Sequence, residues 1–179
     1  MANSSKVLSL TYMALGAALI TICSWITIPT TIPFTLQTFA VCLMAGLLGP
    51  ARGTLSLLVF LFMGMVGLPV FSGFKGGIGS LLGTTGGYLI GFIFTALIVG
   101  YLTEKTGNKP VITALVMIFG IAVCYVFGTA WFMFVYVRGT GPVGLGTVMG
   151  WCVLPFIIPD IIKSCAAAIL VKKLKPFVK

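Results

Sequence analysis

The chain has 179 residues, of which 59% are hydrophobic and only 7% are charged, with 11 lysines and arginines against two acids for a net charge of +9. Soluble domains carry about 25% charged residues, so this composition excludes an ordinary water-facing surface and indicates a membrane protein. Histidine is absent, which removes the usual general base and the commonest metal ligand and argues against an enzyme or a metal site.

Six apolar stretches follow one another along the chain, and a helix needs about 20 such residues to cross a bilayer. The predicted spans are residues 8–28, 35–49, 54–70, 85–103, 111–137 and 147–171. Pro155 and Pro159 interrupt the sixth span, where we expect a kink or a short unwound stretch. The sequence therefore predicts an all-α integral membrane protein, a six-helix bundle that forms a single domain over residues 1–179.

The cations are distributed unequally between the two ends of these spans. Six crossings place eight on one side and two on the other: Lys6, Arg52, Lys105, Lys109, Lys172, Lys173, Lys175 and Lys179 against Lys75 and Arg138. Because cytoplasmic segments carry the excess of Lys and Arg, both termini are predicted to be cytoplasmic. The same placement at helix ends argues against nucleic-acid binding, which needs a clustered basic face.

Two ionisable residues, Asp160 and Lys163, fall inside the sixth span. Counting back from Lys172 at about 1.5 Å per residue places both near the middle of the membrane. They are three residues apart, so they share a helix face and can form an ion pair with acceptors and donors to spare. Ionisable groups at this depth usually mark function. The alternative is a structural ion pair that fixes helix packing.

The segment from residue 67 to residue 91 is rich in glycine. Its first half, around Ser72 and Gly73, places Lys75 and exposed backbone amides where they could receive an anion. The alternative is a plain flexible loop. Further along, glycines recur at every fourth position and predict close contact with another helix: Gly79, Gly83, Gly87 and Gly91.

Gln37 begins the short second span, directly after a turn that Pro29 and Pro33 stiffen. A short span behind a rigid loop predicts a vestibule that dips into the membrane, with the Gln37 amide available to a ligand. The alternative is that this amide faces headgroup water.

Ala14 and Ala18 form an A-x-x-x-A motif in the first span, extended by Gly16 and Ala17. In lipid, small side chains permit helix backbones to pack closely. The motif therefore predicts a helix contact, either inside the bundle or with a partner protein.

Several of these segments together resemble the BioY family, the biotin-binding substrate components (S-components) of energy-coupling factor transporters. The matching segments are residues 33–37 (PFTLQ), 47–50 (LLGP), 67–73 (GLPVFSG), 83–88 (GTTGGY) and the Pro159-Asp160 pair with Lys163. Two positions depart from the family pattern. Phe74 stands where the family usually has glycine, and Thr84 stands where it usually has proline.

The resemblance implies six helices around one biotin, bound in a deep pocket near the outer face of a bacterial plasma membrane, with no cofactor. Asp160 is expected to accept the ureido N–H groups, and Lys163 or Lys75 to meet the carbonyl or the carboxylate. Tyr88, with nearby aromatic residues, is expected to cover the sulfur ring. The full predicted ligand site is Asp160, Lys163, Lys75, Gln37, Tyr88, Ser72 and Gly73.

The resemblance also implies partner proteins. Ala14 and Ala18 would face the transmembrane coupling subunit, which transmits energy from two cytoplasmic ATPase subunits. The sequence contains no G-x-x-x-x-G-K-[ST] motif, so it offers no ATP site of its own. The resemblance leaves open whether the energising module is dedicated, shared or absent.

Other functions remain as alternatives. The chain could be an S-component for another vitamin-like solute, or a secondary transporter in which Asp160 titrates as the ion carrier. A membrane-embedded enzyme is disfavoured, because Asp160 would be the one acid at depth and no histidine could pair with it.

Overall fold

The computed structural model describes residues 2–107 and 109–178, with side chains from residue 6 onward. The helices are α1 (Ala2–Trp25), α2 (Gln37–Met65), α3 (Ile78–Leu82), α4 (Gly86–Lys105), α5 (Pro110–Thr140), α6 (Leu145–Cys152) and α7 (Leu154–Leu174), followed by a 3-10 turn (Lys175–Phe177). Strands β1 (Thr27–Ile28) and β2 (Phe34–Thr35) pair as a short antiparallel hairpin. Lys179, which was counted with the C-terminal cations, lies outside the described residues.

Five helical stretches in the described part of the chain are long and apolar enough to cross a membrane. Their outward faces carry large apolar side chains such as Leu15, Phe119 and Ile162, as contact with lipid requires. The prediction of an all-helical membrane fold is therefore confirmed.

Helix α2 reverses direction in its middle. Gly49, immediately before Pro50, has φ 78° and ψ −178°, a conformation outside the helical region. A Cβ atom on Gly53 would lie 2.7 Å from the Cα atom of Ala45, although a continuous helix would separate these two residues by about 12 Å. The chain therefore folds back at Gly49 and forms two arms, residues 37–48 and 50–65. The count of six spans stays a prediction, because Gln37–Met65 counts as a single stretch among the five that are long and apolar enough to cross a membrane.

The first arm of α2 lies in the centre of the bundle. Residues 40–49 are all buried, and α2 packs against α1, α4 and α7. Where the arm approaches its end, a Cβ atom on Gly46 would lie 2.7 Å from a methyl group of Val171, and the Lys175 ammonium donates a hydrogen bond to the Gly46 carbonyl at 3.0 Å. This arm begins at Gln37, so that the Gln37 side chain is buried inside the bundle.

Two helices end earlier than the sequence predicted. Helix α1 ends at Trp25 rather than at residue 28, because residues 27 and 28 pair with the second strand of the hairpin. The second arm of α2 ends at Met65 rather than at residue 70, because Gly67 adopts φ 101° and Pro69 follows it.

The sixth predicted span is interrupted, as expected. Val153, with φ −127° and ψ −58°, separates α6 from α7, and Pro155 lies in the first turn of α7. Pro159 lies inside α7 without ending it. Pro155 is accommodated there because the N–H groups of the first helical turn have no intrahelical partner, so its missing N–H leaves no bond unmade.

The prediction of one continuous glycine ladder is wrong for its first half. A Cβ atom on Gly87 would lie 2.2 Å from the Trp131 Cβ atom, and one on Gly91 would lie 3.0 Å from the Cys124 sulfur, so these two glycines admit α5 against α4. Gly79 lies in α3, and Gly83 is the extended residue that ends it. The chain leaves the helix between the two pairs, so the four positions do not share a face.

The fold-back of α2 can be tested with Gly53→Ala. The added methyl group would meet the Ala45 backbone, which cannot move away as a flexible side chain could, and overpacking of this kind costs about 1–3 kcal/mol. We expect a lower thermal unfolding midpoint for the purified protein in detergent. Gly146→Ala is the matched control, because a Cβ atom there meets nothing within 4 Å. Equal midpoints for the two variants would contradict the close approach of the arms.

Candidate functional site

A cavity of about 400 Å³ lies between the β-hairpin, the glycine-rich segment and the bundle. Six of the seven predicted ligand residues line it: Asp160, Lys163, Lys75, Gln37, Tyr88 and Ser72. Gly73 belongs to the same loop as Ser72 but is not among the described residues that line the cavity. Residues that are distant in sequence therefore converge at one place.

Asp160 and Lys163 form a buried ion pair at the deep end of this cavity. The Lys163 nitrogen lies 2.8 Å from the Asp160 Oδ1 atom, and the two side chains are 8% and 5% exposed. Lys163 also donates to the Thr35 carbonyl at 2.7 Å and to the Thr38 hydroxyl at 3.2 Å, and lies 4.3 Å from the centre of the Phe34 ring. Its three N–H groups all have acceptors, so the expected spare donor on Lys163 is not found in this structure.

Asp160 accepts hydrogen bonds from three elements of the bundle. Its Oδ1 atom accepts from the Thr38 hydroxyl at 2.9 Å as well as from Lys163, and its Oδ2 atom accepts from the Tyr125 hydroxyl. A carboxylate offers about four acceptor positions. The Oδ2 atom therefore retains one for a donor that enters the cavity.

Thr38 and Tyr125 also line the cavity, and sequence reasoning missed both. Each is an uncharged residue with one hydroxyl group inside an apolar span, and other hydroxyl-bearing residues occur in the same spans. The available signal was the cost of the Asp160 charge, which requires donors on neighbouring helices. This requirement predicts that donors are present but does not identify the residues that supply them.

Gln37 contributes an unused donor. The residue is 4% exposed, and its side-chain nitrogen has no hydrogen-bond partner among the described residues. A buried amide without a partner is costly, about 1–3 kcal/mol. Because Gln37 lines the cavity, an acceptor on a bound molecule could satisfy this nitrogen.

Lys75 contributes a cation at the exposed edge of the cavity. Its side chain lines the cavity, and its ammonium group forms no ion pair or hydrogen bond within the described part of the chain. The neighbouring Ser72 hydroxyl donates to the Thr27 hydroxyl at 2.9 Å and so joins this loop to the hairpin. The free ammonium group is suited to an anionic group on a ligand.

Aromatic and aliphatic side chains form the remaining wall. Tyr88 and Phe92 project from α4, and Phe156 from α7 stacks on Phe34 with ring centres 5.8 Å apart. The Tyr88 hydroxyl is paired with the Thr129 hydroxyl at 3.0 Å, so the ring presents an apolar face. The cavity thus suits a small molecule with an N–H donor, an acceptor, an apolar ring and an anionic group.

The two alanines of the A-x-x-x-A motif lie on an outer surface. Ala14 and Ala18 are exposed, whereas Gly16 and Ala17 turn inward. A Cβ atom on Gly16 would lie 2.5 Å from the Ser56 hydroxyl, which shows how closely α1 approaches the second arm of α2. The motif thus divides into an inward pair that packs within the bundle and an outward pair that is open to lipid or to another protein.

Apolar helices around a cavity with a buried acid and a free cation define a membrane protein that binds a small polar solute. The sequence model of the BioY family matches residues 1–179, so the chain belongs to the BioY family. The resemblance found in the sequence is therefore confirmed.

Individual relatives agree with this assignment. The chain is 39% identical over 159 residues to the biotin transporter BioY of Thermotoga maritima, covering 88% of this chain and 90% of the relative. It is 39% identical over 144 residues to the probable biotin transporter BioY of Pyrococcus horikoshii, covering 80% and 81%. A crystal structure of the S-component for biotin from an ECF-type ABC transporter matches with a TM-score of 0.87 and 32% identity, covering 98% of this chain and 95% of the other.

The buried ion pair predicts a characteristic pattern of stability. Lys163→Met leaves the Asp160 charge without its cation, and removing one member of a buried pair typically costs about 3–5 kcal/mol. Adding Asp160→Asn removes the uncompensated charge, so the double variant should unfold at a higher temperature than Lys163→Met alone. Thermal unfolding in detergent, without ligand, measures both. A double variant less stable than either single variant would contradict the pairing.

Proposed function

We propose that this chain captures biotin at the outer face of the plasma membrane and is the substrate-binding subunit of an energy-coupling factor transporter. The observation that carries the proposal is the set of unused groups in the cavity: an acceptor on Asp160, a donor on Gln37 and a free ammonium group on Lys75. Further support from outside the site is membership in a family whose relatives are named as biotin transporters. The chain acts in transport rather than in catalysis.

Biotin has the chemistry that these groups require. Its cyclic urea carries two N–H donors and a carbonyl, and its carboxylate is separated from the ring by a flexible chain. In the proposed pose one ureido N–H group donates to the free acceptor position of Asp160, and the ureido carbonyl accepts from Gln37. The carboxylate reaches Lys75, next to the Ser72-Gly73 backbone. The sulfur ring lies against Tyr88.

Lys163 has a different role in this proposal from the one that its sequence position suggested. Because its three donors are occupied, it holds Asp160 and the second strand of the hairpin instead of contacting the ligand through a spare N–H group. The carboxylate of biotin is therefore assigned to Lys75.

The cavity is compatible with tight binding. Its volume of about 400 Å³ lies in the usual range for small-molecule sites. Nanomolar affinity corresponds to about −12 kcal/mol, and for the about 16 heavy atoms of biotin this is about −0.8 kcal/mol per atom, within the range observed for small ligands.

The proposed topology has six spans, with the two arms of α2 as the second and third. Gly49 lies beside Glu104, and Lys175 bonds to Gly46, so these residues share one end of the bundle. On α7, Asp160 is about 22 Å from Lys175 along the helix axis. We place the Lys175 end at the cytoplasm, since most cations lie there, and the cavity toward the outside.

The proposed partners are a transmembrane coupling subunit and two cytoplasmic ATPase subunits. Membership in the family and the match to an S-component of an ECF-type ABC transporter support such an assembly. The exposed pair Ala14 and Ala18 on α1 provides a surface that another helix could approach closely.

The role of Asp160 can be tested with Asp160→Asn. Asn keeps the shape but replaces an acceptor with an N–H donor, so a ureido N–H would meet another N–H. The loss of a charge-assisted hydrogen bond is about 1.5–3 kcal/mol. We expect biotin to bind the purified variant more than about tenfold more weakly by isothermal titration calorimetry.

Glu104→Gln is the matched control, because it makes the same change in the chain's other acid, away from the cavity. Its affinity for biotin should equal that of the unaltered protein. Each variant should elute as a monodisperse peak, since the amide oxygen that Asp160→Asn introduces can still accept from Lys163. An unchanged affinity for Asp160→Asn would remove this residue from the ligand site.

The partner surface can be tested with Ala14→Trp and Ala18→Trp. A bulky ring on this face should hold the two backbones apart and prevent the coupling subunit from co-purifying. Biotin binding by the isolated chain should persist, because both alanines lie outside the cavity lining. Ala166→Trp, on the exposed face of α7, is the control and should assemble normally. Loss of biotin binding together with loss of folding would show instead that these alanines pack internally.

A further inference from the structure

The loop that carries Lys75 contains a tight reversal of the chain. The Phe71 backbone N–H donates to the Lys75 carbonyl at 2.9 Å, and the chain turns between them. Gly73 and Phe74 are consecutive residues with positive φ, 70° and 57°. Phe74 is the one non-glycine residue with positive φ among those that the structure describes. A bulky side chain disfavours this conformation, so something must hold Phe74 in it.

An aromatic contact outside the cavity holds Phe74. Its ring stacks on Trp25, with ring centres 5.1 Å apart and an angle of 29° between the planes. The Trp25 ring is itself fixed, since its N–H donates to the Pro69 carbonyl at 2.8 Å, at the base of the same loop. The Phe74 side chain is 64% exposed and is not among the described cavity-lining residues. The stack therefore secures the turn from its outer side.

The position of Lys75 depends on this turn. Its ammonium group has no hydrogen-bond or ion-pair partner in the described part of the chain, so no polar contact orients it. Its stem lies close to the turn, because a Cβ atom on Gly73 would be 4.0 Å from the Lys75 Cε atom. The backbone of the turn is what directs the Lys75 side chain toward the cavity.

We propose that Phe74 is a positioning residue that acts through Lys75: its stack on Trp25 holds the strained turn so that the ammonium group faces the anionic end of the ligand. This inference rests on the proposed function, in which Lys75 receives the carboxylate of biotin. Its consequence is a longer residence time of the ligand, since the turn is held before the ligand binds.

Replacing Phe74 should weaken ligand binding without lowering the stability of the protein. In Phe74→Gly the backbone can keep positive φ without steric cost, but the contact with Trp25 is lost. Biotin should dissociate about threefold to tenfold faster from the full-length variant in detergent, the range that an aromatic pair provides. The thermal unfolding midpoint without ligand should be unchanged or higher. Phe74→Tyr preserves the stack and should keep the dissociation rate of the unaltered protein.

A double-mutant cycle with Lys75→Met tests whether Phe74 acts through Lys75. Phe74→Gly should accelerate dissociation in the unaltered protein and have no further effect in the Lys75→Met background. Equal acceleration in both backgrounds, or an unchanged rate in Phe74→Gly, would overturn the inference while leaving the proposed function intact. If the unaltered protein bound no biotin, the proposed function would fail and the inference with it.

Discussion

A carboxylate buried within the membrane is the constraint on which the rest of the site depends. Asp160 is costly in a medium that supplies no water, so its charge has to be balanced and its oxygens have to receive donors. Lys163 balances the charge from the same helix, and Thr38 and Tyr125 supply donors from α2 and α5. The requirement of one charge thereby fixes three helices relative to one another around the cavity.

The fold-back of α2 makes this arrangement possible. Gly49 adopts a backbone conformation that a residue with a side chain rarely takes, and it lets a short arm occupy the middle of the bundle. At about 1.5 Å per residue the arm is shorter than a typical bilayer is thick, so it is a short span. Its first residues, Gln37 and Thr38, consequently lie next to the hairpin and line the same cavity as Asp160. A full-length helix at this place would carry them beyond the cavity.

Sequence reasoning succeeded where a single physical cost dominates. Long apolar stretches between cations indicated the helices, and two ionisable residues at membrane depth pointed to side chains that line the cavity, because few sequences tolerate either feature without a reason. Pro155 likewise marked the break between α6 and α7. These signals are local, so they can be read from neighbouring residues.

What the sequence could not provide were the contacts between distant segments. Tyr125 is 35 residues from Asp160, and nothing near it distinguishes it from a tyrosine that faces lipid. The regular spacing of Gly79 and Gly83 looked helical although the chain is not helical between them and α4. The stack of Trp25 on Phe74 depends on how the hairpin and the glycine-rich loop meet. The most direct test of biotin binding is a calorimetric titration of the purified, unaltered protein with biotin and, separately, with other water-soluble vitamins. We expect one site per chain that binds biotin alone, with a dissociation constant in the nanomolar range and a binding free energy near −12 kcal/mol. No heat with biotin, or equally tight binding of another vitamin, would contradict the proposed capture of biotin.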